Sequence, residues 1–206
     1  MKTFRHTFFE TSAARGIPSE SLSGAWSTIE KYYNERGRYY HTLSHLDHII
    51  NELYPCRNNI VQWEAVVMAT AYHDVIYNVL KQDNEKRSAD FAAEELSRMG
   101  WDESTREACR TLILATHKHE SGDEDTNLFI DADLSILGSD STRYQKYVEQ
   151  IRKEYAIFPD LIYKPGRKKV LTHFLNMSHI YKTSFFADKY EKTARINIEK
   201  ELASLR

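Results

Sequence analysis

The sequence predicts an all-α chain, and three observations carry that expectation. Its 206 residues include only four prolines and seven glycines, scattered along the chain, too few for the turn-dense punctuation of an all-β fold. From Ser19 onward apolar residues recur at helical spacing. No segment carries the strict apolar–polar alternation of a half-buried strand. A chain of this length buries one good core, so a single domain over 1–206 is expected.

Taken in order, a first helix is expected from 19 or 21 to 34, after Pro18, with Leu22, Trp26, Ile29 and Tyr33 inward. After a break at Gly37 a second runs over 42–54 and stops at Pro55. The third, 60–77, is the most apolar, with Trp63, Val66, Val67 and Thr70 on one side. A fourth covers 85–98 and ends at Gly100; a fifth covers 103–118. Residues 121–125 form a polar loop, followed by an apolar stretch, 128–137, closed by Gly138. Helices over 142–155, 167–177 and 187–205 complete the chain, with Pro159, Pro165 and Gly166 in the loop between the first two.

With 41% apolar and 28% charged residues, the chain falls among globular proteins rather than disordered or membrane ones. The formal charge of −2 provides no general attraction to nucleic acid or to an anionic membrane, so neither partner is expected and phosphate recognition must be local. Cys56 and Cys109 are isolated and form no metal-binding pair. With no leader-like apolar run over 1–12 and no stretch of membrane-spanning length, the expected location is cytoplasmic. The thirteen tyrosines line either a pocket or a homodimer contact.

The chemistry shows as charge where burial is expected. On a wheel of 100° per residue with Trp63 at zero, Asp74 falls near 20°, inside the apolar stripe of the third helix, and His73 falls on its edge. A carboxylate there costs several kcal/mol unless a cation or donors compensate it. The bland alternative ends the helix near His73 and leaves Asp74 as a surface cap. On the second helix His45 flanks the face made by Leu46, Ile49, Ile50 and Leu53, while His48 points away to solvent. His41, at the helix start, is a cap, a surface residue or a proton donor one turn from His45. Asp131 and Asp133 sit in a second apolar window, where N-capping suits Asp131 better. By themselves, His117 and His119 read as exposed residues at a helix end, and His173 and His179 as structural. Histidine and carboxylate without cysteine suit one or two divalent ions of Mn, Mg, Fe, Co or Ni rather than a structural zinc.

The ordered set His45, His73-Asp74 and Asp133 resembles the H…HD…D signature of the HD-domain metal-dependent phosphohydrolases. Tyr40-His41-Thr42-Leu43-Ser44-His45 is similar to the Tyr-His-Asn-x-x-His segment of cyclic-nucleotide phosphodiesterases, in which the first histidine is a general acid and the second a metal ligand. Ala71 to Val75 and Ala132 to Ser135 resemble that branch's other ligand segments, although Ile76 and Tyr77 replace the Asp-His that follows there. From about Trp26 onward the chain resembles a small bacterial group of predicted HD phosphohydrolases, in segments 38–45, 84–89, 131–138 and 190–202.

The resemblance implies an HD-domain-like helical bundle, with a metal-site core over about 38–138 and helices over 140–206 completing it. It implies His45, His73, Asp74 and Asp133 as ligands, with Asp131, His117 and His119 as further candidates for that site or a second metal. His41 is then the acid, and Arg38 and Lys118 candidates to neutralise phosphate charge. The expected activity is metal-dependent hydrolysis of a small phosphorylated metabolite or nucleotide. A di-iron oxygenase of HD type, a non-catalytic nucleotide-sensing module and a plain helical scaffold are the competing readings.

Overall fold

The computed structural model describes residues 3–205, and among them ten α-helices, two 3₁₀ turns and no strand. The helices are α1 (Phe4–Ala14), α2 (Ser19–Tyr33), α3 (Leu43–Leu53), α4 (Trp63–Tyr72), α5 (Asn84–Met99), α6 (Glu103–Ala115), α7 (Glu124–Leu134), α8 (Ser141–Glu154), α9 (Asp160–Asn176) and α10 (Ser184–Ser204). The 3₁₀ turns, Tyr54–Asn59 and Ser135–Gly138, prolong α3 and α7. The all-α expectation holds. No helix among the described residues is long and apolar enough to cross a membrane.

Helix α4 is the hub of the core. Every residue except Glu64 is buried, so it has no polar face, and α1, α3, α5 and α6 pack around it. The predicted 60–77 helix is therefore shortened at both ends. At its start the Asp125 carboxylate accepts from the N–H groups of Val61 (2.9 Å) and Gln62 (2.7 Å), donors without intrahelical partners. At its end Arg38 captures the carbonyls of Asp74 (2.7 Å) and Val75 (2.9 Å), and the chain leaves the helix at His73. Asp74 thus lies beyond the helix, and its place on the predicted wheel does not exist.

Three further elements differ from expectation. Helix α1 is additional: Thr3 caps it, and Phe4 and Phe8, one turn apart, pack on Trp26. The apolar stretch around Asp131 is helical from Glu124, capped by Asp123. Helix α9 begins at Asp160 and runs through Pro165; Leu161, whose carbonyl loses its amide partner to the proline, lies with it on an exposed face.

The C-terminal helices are tied back by polar contacts as much as by apolar ones. Asn197 of α10 donates to the carbonyls of Leu137 and Ser139, both at 2.9 Å. Arg167 of α9 meets Glu201 of α10 in a buried ion pair (2.7 and 3.0 Å) that Tyr144 of α8 joins through its hydroxyl (2.6 Å). Gly138 lets the backbone touch α10, since a Cβ there would stand 2.5 Å from that of Tyr190.

Candidate metal centre

Four side chains converge from three places in the fold. His45 comes from the first turn of α3, His73 and Asp74 from the end of α4, and Asp133 from the last turn of α7. His45 Nε2 stands 3.2 Å from His73 Nε2 and 3.1 Å from Asp133 Oδ1. His73 Nε2 stands 3.1 Å from Asp74 Oδ2. The crossed distances are 3.9 Å from His45 to Asp74 and 3.8 Å from His73 to Asp133. Bonds of about 2.0–2.2 Å to one small cation place adjacent ligand atoms about 3 Å apart and opposed ones about 4 Å apart. The donor set fits such an ion in chemistry; His45, His73 and Asp74 fit it in spacing as they stand, and Asp133 approaches from the side of the two imidazoles.

The local electrostatics agree. His73 Nδ1 donates to the Thr70 carbonyl at 3.2 Å, which directs the Nε2 lone pair into the cluster. Burial by itself would lower His73, but Asp74 and then Asp133 push it up to about 9. Burial likewise opposes ionisation of the two carboxylates, yet Asp74 is held below its usual range chiefly by His73, and Asp133 by His119 and His45. His45, where burial dominates, is lowered. The cluster draws in positive charge.

His41 stands beside it, with Nε2 3.8 Å from Asp74 Oδ2. Its Nδ1 donates at 2.7 Å to Glu154, a residue that sequence reasoning missed. Glu154, from the end of α8, accepts from the N–H groups of Tyr39, Tyr40 and His41 (2.8, 2.8 and 3.0 Å) and from the Tyr77 hydroxyl (2.9 Å). Burial opposes its charge, but His41 and these donors pull Glu154 down to about 2. Burial also lowers His41, and the fields of Glu154 and Asp74 more than reverse that.

Other candidates lie apart from the cluster. Asp131 is turned away, its carboxylate accepting from the Lys182 and Thr183 N–H groups (2.8 Å each) and the Thr183 hydroxyl (2.7 Å) at the start of α10. Burial raises it despite those bonds. Arg38 does not line the cavity beside the cluster: besides the carbonyls of Asp74 and Val75 it binds that of His41 (3.3 Å) and lies over the rings of Tyr33 and Tyr77. Lys118 is exposed, 4.0 Å from Glu120. His119 does join the group. Its left-handed backbone (φ 52°) turns the chain out of α6, and its Nε2 stands 3.6 Å from Asp133 Oδ2. His117 is half exposed and meets Glu85 at 3.2 Å. His48, expected in solvent, is buried, with Nδ1 accepting from Arg143 (2.7 Å) and Nε2 meeting the Ser135 hydroxyl (2.8 Å). His173 and His179 are exposed.

The cluster opens into a cavity of about 660 Å³. One wall is polar, with His117, His119, Glu85 and Gln82; the other is apolar and aromatic, supplied by α8, α9 and the segment joining them. This is a site with four convergent metal-type donors, an imidazole poised beside them and room for a small organic molecule. A scan against protein-family models, a search of curated proteins and a search of solved structures each return no match to the chain.

Proposed function

We propose that this chain is a metal-dependent phosphohydrolase of the HD-domain type, acting on a small phosphorylated molecule. The observation that carries the reading is the convergence of His45, His73 and Asp74, their ligand atoms 3.1–3.9 Å apart, with Asp133 3.1 Å from His45, beside a histidine locked to a buried glutamate. The resemblance of the same residues to the HD signature supports it.

His45, His73, Asp74 and Asp133 would hold a divalent ion of Mn, Mg, Fe, Co or Ni, with His119 next to Asp133. When bound, such an ion supplies a Lewis acid for a phosphoryl oxygen and acidifies a coordinated water. The protein supplies the rest. Glu154 holds the Nδ1 proton of His41, and with Asp74 it favours the doubly protonated ring, whose Nε2 proton on the Asp74 side would pass to the departing ester oxygen and leave a neutral imidazole. Thr70 fixes the His73 tautomer, and Arg38 braces the turns carrying His41 and Asp74.

Metal content by mass spectrometry tests this directly. The purified protein should carry about one equivalent or more, and the double variant His73→Ala with Asp74→Ala should carry little. Equal metal in both, or no phosphoester hydrolysis under any of the five ions, overturns the reading.

A further inference from the structure

The cavity itself narrows the substrate, on the understanding that the phosphohydrolase reading of the site is right. Charge is the first constraint. Among the described residues lining the cavity, the Lys and Arg side chains are Lys81, which is exposed, and Arg167. Arg167 has no charge to spare: both of its contacts with Glu201 are short, and its third goes to the Tyr147 hydroxyl at 3.3 Å. Against these stand the carboxylates of Asp74, Asp133 and Glu85. A divalent ion and the histidines can balance one phosphoryl group. A di- or triphosphate would bring further charge into a cavity with no guanidinium or ammonium cluster to receive it.

The far wall is the second constraint. It is built from Ile151, Phe158, Ile162, Val170 and Phe174, with the tyrosine rings beside them. Its polar groups are a few tyrosine hydroxyls, of which Tyr77 donates to Glu154, Tyr147 accepts from Arg167 and Tyr40, nearer the metal-type ligands, has no hydrogen-bond partner among the described residues. The side-chain amide of Asn84, on the opposite wall, is bonded both ways to the backbone of Asn78. Such a wall offers mainly apolar area, with isolated hydroxyls and, among the described residues, no charged or amide side chain on it free to read a polar edge. Ile162 and Val170, at 58% and 46% exposure, extend that apolar surface outward.

We propose that the substrate is a phosphoester with a single phosphoryl group and an apolar alkyl or aryl organic part. The aromatic wall receives the organic part while the metal centre holds the phosphoryl end. Polyphosphates and polyol phosphates are poor substrates.

Two measurements on the metal-loaded full chain test this. The first is calorimetric binding of two non-hydrolysable probes, methylphosphonate and hexylphosphonate. Hexylphosphonate should bind at least about tenfold tighter, since each buried methylene contributes several-fold. Ile162→Asp and Val170→Asp, at exposed positions that tolerate a charge, should each shrink that ratio. Equal binding of the two probes, or a ratio unmoved by both variants, overturns the proposal. The second compares kcat/KM for hexyl phosphate, glycerol phosphate and ATP, the first two having similar leaving groups. Hexyl phosphate should exceed the others at least tenfold. A preference for ATP or glycerol phosphate overturns the substrate class while leaving the phosphohydrolase standing. If none of the three turns over while the phosphonate ratio holds, the hydrolytic reading falls and the ligand class survives.

Discussion

Glu154 reaches His41 across 113 residues of sequence and meets its Nδ1 at 2.7 Å. The same carboxylate binds three successive backbone N–H groups of the loop carrying that histidine, so it shapes the loop and fixes the tautomer together. The position of the proton on His41 is therefore decided by the last residue of α8, outside the segment that holds the metal-type ligands.

If His41 is the acid, its loss should matter most where the leaving oxygen needs a proton. His41→Ala should lower kcat for an alkyl phosphate by about 10²- to 10⁴-fold and for p-nitrophenyl phosphate far less. Glu154→Gln should reproduce that selectivity at about ten- to a hundredfold, with metal content unchanged in both variants. A uniform loss across leaving groups would assign the pair to structure alone.

Asp131 and Asp133 lie two residues apart in α7 and have different partners, the start of α10 for Asp131 and the histidine cluster for Asp133. Asp133→Asn should remove metal and leave thermal stability nearly as it was. Asp131→Asn should keep metal but cost about 1–3 kcal/mol in denaturant unfolding, because buried donors at the start of α10 lose a charged acceptor. The reverse pattern would exchange the two roles.

What was legible in the sequence follows from how local each signal is. His45 announced itself on one helix face, beside four apolar neighbours that are all fully buried. Asp74 was found by a wheel that does not extend that far: α4 ends at Tyr72, and the carboxylate enters the site from the turn that Arg38 holds. Glu154 carries a signal readable in the sequence. It continues the buried stripe Tyr144, Tyr147 and Ile151 of α8, a charge where burial is expected, as at Asp133. His48 was unreadable locally, since what covers it, Ser135 and Arg143, comes from 87 and 95 residues away. The helix at the N-terminus was masked by its polar residues, although Phe4 and Phe8 kept the one-turn spacing.

Arg38 and Lys118 were both candidate phosphate ligands, and their surroundings now separate them. Arg38→Lys cannot hold three carbonyls with one ammonium, so the turns bearing His41 and Asp74 should loosen and metal affinity should fall about 10- to 100-fold. Lys118→Ala should change neither metal affinity nor KM, as its side chain meets only solvent and Glu120. Competition with a chelator measures the first and steady-state kinetics the second. A raised KM in Lys118→Ala with normal Arg38→Lys would restore the original assignment.

His48 sets an acid limit on the fold. Burial and the adjacent Arg143 guanidinium lower it from 6.5 to about 3 in the folded chain. Below 6.5 the unfolded chain therefore binds the extra proton and the folded one does not. The contribution of neutral His48 is fully present above pH 6.5 and is lost as the pH falls towards 3, by about 2 kcal/mol at pH 5. His48→Gln offers an amide N–H for Ser135 and a carbonyl for Arg143 without a titrating group. Urea unfolding of both proteins between pH 7.5 and 5 should show the parent weakening more steeply than the variant, the two curves separating as the pH drops. Parallel curves would mean that other groups set the acid limit and that His48 is held neutral for no energetic consequence.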